Sequence, residues 1–280
     1  MNNTFSFNRF KNLLLKDGKT YIRNYGTSLI VCCCLNAIFW IFNLLFGSSS
    51  ESAFRFGMLC LWTGLALMMA PEKVYGKANL SREGVGFAML PASSLEKFVS
   101  MFIYCAIVTP IVVFFGGYLV DTLLSLFPFG GFEKPIHLYT INEIVRMIDN
   151  SEGVFQNGDM AVAVPFTDVF PVAAIRISLY MGIIQWAAIF MLGNMLFKKR
   201  KTGRTFACYL GISYLLSTLF GLSFIKNGWM EQWLESLEDL TEIEMIRFAH
   251  NGMIWGMILG IVITAVLLYF TYRKIKTQKY

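Results

Sequence analysis

The sequence predicts an all-α, polytopic integral membrane protein with six transmembrane helices. Three observations carry that expectation. The 280 residues are 56% hydrophobic and only 15% charged, with a mean hydropathy of +0.55. Apolar stretches recur at about the 20 residues needed to cross a hydrocarbon core of ~30 Å. These stretches are apolar on every face rather than alternating with period two, so they suit self-satisfied helices and not barrel strands. The whole chain, 1–280, reads as a single transmembrane domain.

Residues 1–26 are basic, but Phe7, Phe10, Leu13, Leu14, Tyr21, Ile22 and Tyr25 recur at helical spacing. Such a pattern suits an interfacial helix lying along the cytoplasmic membrane surface. The first apolar run begins near Thr27, too late and too long for a cleaved leader, so a retained span is expected. Residues 27–70 hold spans one and two, near Thr27–Phe46 and Ala53–Ala70. Residues 71–99 form a cytoplasmic loop. Within it Ser93 and Glu96 read S-x-x-E, a capping box that opens a helix running into span three. Span three covers 100–127, and Pro110 should kink it. An outer loop, 128–170, contains a second capping box, Thr140 and Glu143, before INEIVRMIDN. Residues 171–225 hold spans four and five, near Pro171–Phe197 and Thr205–Ile225. Residues 226–250 carry Trp229, Trp233, Leu237, Leu240, Ile243 and Ile246 on one stripe, an outer amphipathic helix. Span six is 251–270, and 271–280 is a basic tail.

Charge fixes the expected orientation. Lys and Arg concentrate in 1–26, in the 71–100 region, in the KKRKTGR connector after Phe197 and in the tail. The alternate segments keep only Arg55, Lys134, Arg146, Arg176, Lys226 and Arg247, together with most of the acids. The positive-inside rule then places both termini in the cytoplasm. This distribution accounts for the net charge of +6 without nucleic acid as a partner.

Ionisable groups within spans are costly and invite a functional question. Asp121 in span three and Arg176 in span four each lie about 9 Å inside the outer ends at 1.5 Å per residue. An intramembrane Asp121–Arg176 ion pair is expected, with separate snorkelling to the interface as the alternative. The six cysteines sit in apolar runs without metal-site or disulfide spacing. Ser223 and His250 could meet, but Phe224 stands where an intramembrane serine protease would carry glycine. No H-E-x-x-H zinc-peptidase motif and no phosphate-binding loop is present, so the chain is expected to be no enzyme and to hold no cofactor or metal. Any ATP would be bound by a partner subunit.

The layout resembles the type-2 ATP-binding-cassette exporter permeases of bacteria. The segment FAMLPASSLEKFVS is similar to an L-P-x-S-x-x-E-K-F pattern of that group. The resemblance implies a membrane-spanning subunit in the bacterial cytoplasmic (inner) membrane. It would pair with a second permease subunit, as a homodimer or heterodimer, and rest on a cytoplasmic ATPase. It also implies that 71–99 is the coupling loop, with Arg82, Glu83, Leu90, Pro91, Ser93, Glu96, Lys97 and Phe98 as candidate contacts to the ATPase. The scarcity of charge in the spans favours a lipid-like, amphipathic or polymer cargo over small ions. The outer loop 128–170 is longer than the family's, which leaves a non-transporting scaffold or sensor as the alternative.

Overall fold

The computed structural model describes residues 5–47, 49–80, 84–127, 129, 131–132, 134–137, 153–157, 160–164, 172–226 and 242–277. Its elements are α1 (Phe7–Cys34), α2 (Asn36–Phe46), α3 (Ser52–Tyr75), a 3-10 turn (Gly76–Asn79) and α4 (Gly84–Ala88). Then come α5 (Ser94–Phe102), a π-helical turn (Ile103–Val108), α6 (Thr109–Ser125), β1 (Gly153–Asn157) and β2 (Met160–Val164). The chain closes with α7 (Val172–Leu196), α8 (Lys201–Lys226) and α9 (Glu242–Thr277). Helix therefore dominates, as expected. The short antiparallel hairpin, with Gly153 opposite Val164 and Asn157 opposite Met160, was not expected.

Five helical stretches are long and apolar enough to cross a membrane: Phe7–Phe46, Ser52–Asn79, Ser94–Ser125, Ala173–Leu196 and His250–Thr277. The sixth expected span, 205–225, falls inside α8, a helix of 26 residues that is not among those five.

The chain divides into two compact units. One comprises 1–138, 183–205 and 265–280; the other comprises 139–182 and 206–264. In the first unit α1 buries Phe10, Leu13, Asp17, Tyr21, Tyr25, Leu29 and Cys32. Steps of three and four residues keep all of these on one helical face. The stripe continues without a break from the basic lead-in to the apolar run. α1 passes through the expected boundary at residues 26–27 as one continuous helix. The break comes later, at Leu35, where the buried Asn36 donates to the Arg55 carbonyl (3.4 Å) and accepts from Trp62 Nε1 (3.1 Å). Gly47, at φ 63°, ends α2 in the left-handed conformation that glycine adopts without strain.

Small residues let the helices close up, as interfaces between apolar helices require. A Cβ on Gly117 would collide with Leu59 Cδ1, and one on Gly193 with Thr205 Oγ1. Tyr25 donates to the Ala66 carbonyl (2.6 Å) and Trp186 to the Gly64 carbonyl (3.1 Å), pinning α1 and α7 to α3.

Span three is not one uniform helix. Pro110 has no N–H to give to the carbonyl of residue 106. The preceding residues widen into the π-helical turn, and Thr109 Oγ1 donates to the Tyr104 carbonyl at 2.8 Å. Thus the expected disturbance lies just before the proline. In the second unit, α9 runs unbroken from Glu242, and the part apolar enough to cross a membrane begins at His250, beside the expected start of span six. The stripe over 228–241 and the Thr140–Glu143 capping box lie outside the described residues.

Candidate functional site

A polar collar joins the ends of α1, α3, α5, α7 and α8 in the first unit. It is built from local signals that acquire long-range partners. Ser93 caps α5: its hydroxyl accepts from the Glu96 N–H (3.2 Å), and Glu96 Oε2 accepts from the Ser93 N–H (2.8 Å). The capping box read from sequence is therefore formed. The other Glu96 oxygen reaches across to α1, accepting from the Ser6 N–H at 2.7 Å and pairing with Arg9 Nη2 at 3.3 Å. The Glu96 side chain is fully buried. Burial opposes its ionisation, but the Ser6 and Ser93 N–H groups and Arg9 outweigh this and hold the carboxyl below its ordinary value.

Two turns further along α1, Asp17 Oδ2 accepts from Ser100 Oγ (2.6 Å) and Tyr75 Oη (3.0 Å), tying α1 to α5 and α3 at one buried atom. Tyr104 Oη donates to the Leu14 carbonyl (2.8 Å), and Tyr21 Oη shares a hydrogen bond with Thr109 Oγ1 (3.0 Å). The π-helical turn is thereby held against α1 on both sides. At the end of α3, Glu72 accepts from the backbone N–H of Thr202 (2.7 Å) and from its hydroxyl, and Lys201 Nζ donates to the Gly76 carbonyl. Asn194 and Asn79 complete this seam through the Tyr75 and Phe197 carbonyls, each at 3.3 Å. Lys201 lies outside the spans. Burial lowers its ammonium pKa, with Glu72 working in the opposite sense.

The candidate coupling residues divide by role. Leu90 and Pro91 face a cleft of about 210 Å³ whose other wall is Arg9, Asn12, Leu13 and Lys16 of α1. Ser93 and Glu96 make the cap. Lys97 turns inward, donating to the Ala88 carbonyl (3.1 Å) with its ammonium 5.2 Å from the Phe87 ring centre. Phe98 packs edge-on against Tyr272, 5.9 Å between ring centres. Arg82 and Glu83 lie outside the described residues. Beside the cleft, Val85 and Met89 stand one turn apart with 36% and 78% of their surface exposed.

Away from the collar, Asp121 is fully buried, and its partner is not the expected Arg176. Arg55 of α3 donates through Nη1 to both carboxylate oxygens, at 2.8 and 2.7 Å. α3 packs directly along α6, so Arg55 meets Asp121 across one helix interface. Phe132 lies under the guanidinium at 4.0 Å, the Ile136 N–H donates to Asp121 at 3.0 Å, and Arg55 Nη2 donates to the Lys134 carbonyl. Phe132, Lys134 and Ile136 thus close over the pair.

No protein-family model, curated protein or solved structure matches this chain.

The collar's chemistry is mechanical: carboxylates and amides join helix ends, so that displacing one end displaces its neighbours. Sequence reasoning found the cap but missed Ser6, Arg9, Asp17, Glu72 and Thr202. Asp17 was the readable signal, as a lone acid in a basic amphipathic helix, on the same face as Phe10, Leu13 and Tyr21.

Proposed function

We propose that this chain is the membrane-spanning subunit of an exporter, with six spans and both termini cytoplasmic, driven by a separate ATPase and paired with a second subunit in the bacterial cytoplasmic membrane. One observation carries the reading: the loop between α3 and α5 presents exposed Val85 and Met89 while Glu96 and Lys97 lock its base to α1 and α4. A docked ATPase would grip an apolar patch on a platform continuous with two membrane helices. A push there could not dissipate in slack chain. It would tilt α1 and α5 together, and a nucleotide that altered the ATPase's contacts would bias the membrane helices between two arrangements. An amphipathic or lipid-like cargo remains the substrate class this reading favours.

The test is purification from native membranes in mild detergent, with mass spectrometry of the co-purifying proteins. Wild type should bring down a nucleotide-binding subunit. Met89→Asp and Leu90→Asp should lose it while eluting as monodispersely as wild type. If no ATPase appears under conditions that keep a control transporter complex intact, the chain is a scaffold or sensor instead.

A further inference from the structure

We infer that the groove between the C-terminal ends of α7 and α9 is a binding site for an anionic phospholipid. The groove, about 300 Å³, is walled by Leu192 and Leu196 of α7 and by Phe270, Arg273, Lys274 and Thr277 of α9. All of these belong to the first unit. Leu196 and Phe270 are 53% and 46% exposed, so the floor presents bare apolar surface. Arg273 and Lys274 follow Phe270 by one turn, which places the cations about 5 Å further along the helix axis.

A phospholipid has the same order along its length: acyl chain first, phosphate a few ångströms nearer the water. Charge decides which phospholipid. Among the described residues neither cation has a carboxylate partner. Lys198, Lys199 and Arg200 follow Leu196 within four residues, adding to the positive field at this end. Arg273 offers a planar fork for phosphate oxygens and Lys274 a mobile point charge. Basic pockets between helices at the membrane boundary favour acidic headgroups. Cations near a helix C-terminus also offset the helix dipole, but that role needs no apolar groove beside them. The lipid is a resident ligand here, independent of any cargo or ATPase.

The test uses the full chain in a neutral detergent. Phosphatidylglycerol, phosphatidylcholine and inorganic phosphate are titrated separately, with retained lipid read by native mass spectrometry and the unfolding midpoint by a thermal scan. Phosphatidylglycerol should remain bound and raise the midpoint; the other two should do neither. Arg273→Gln and Lys274→Gln should each weaken its retention about fivefold, while Lys274→Arg keeps it. Leu192→Trp, which fills the groove and leaves the cations, should also displace the lipid. Equal retention of phosphatidylcholine, undiminished phosphatidylglycerol in the glutamine variants or in Leu192→Trp, or a midpoint shift with phosphate alone would overturn the assignment.

Discussion

Removing the Asp121 carboxylate would strand a guanidinium that is 1% exposed. Breaking a buried pair from one side typically costs about 3–5 kcal/mol, because the remaining charge has no solvent. Asp121→Ala should therefore lower the unfolding midpoint in detergent sharply, and the double change Arg55→Met with Asp121→Leu should restore most of the loss. If the single and double variants unfold together, the pair contributes no coupling. Glu96 carries a pH dependence of definite sign. Its folded carboxyl sits below the ordinary value of about 4.3, so its contribution is complete above that value and is lost as pH falls through the lower, folded one. A spin label on Asn8→Cys, in a background without the native cysteines, should stay immobile as pH falls through the ordinary carboxylate value and become mobile only at lower pH. Glu96→Gln should free it at neutral pH. Asp121 was legible in the sequence because an acid in an apolar run has no other excuse. Arg55 was not, because three residues into a span it resembles an ordinary flanking cation.

Among the elements, the strongest local signal held best: Ser93 and Glu96 start α5 where S-x-x-E stands. What spacing could not convey is that the same carboxylate has a second oxygen for Ser6, ninety residues away. The β1–β2 hairpin had a signal as well, Gly158-Asp159 between two apolar runs, masked by the surrounding glycine, proline and phenylalanine. The close crossing of α7 with the start of α8 was illegible, since glycine in an apolar helix looks the same whether packed or open. Gly193→Ala should cost about 1–3 kcal/mol, the usual range for overpacking, because Thr205 branches directly at the point of contact. Gly182→Ala, on the same helix with nothing within 4 Å among the described residues, should leave the thermal midpoint unchanged or raise it slightly. Similar losses in both would mean that helix dynamics, not the crossing, sets the effect.

For the whole molecule, the apolar runs revealed the class, and five of them recur as helices fit to cross a membrane. The distribution of Lys and Arg adds an expected direction. With α8 as a sixth span, reporters fused to the two termini should read the same side, the cytoplasm; opposite sides would leave five crossings and remove the exporter topology. The π-helical turn over Ile103–Val108 bears on any such mapping. An extra residue in one turn advances the side-chain phase by about 100° relative to a regular helix. A helical wheel drawn straight through 94–125 would therefore assign the wrong face to everything beyond Val108. Lipid-accessibility scans along this segment should show two periodic patterns offset from each other, with the discontinuity falling where α1 grips the helix through Tyr21.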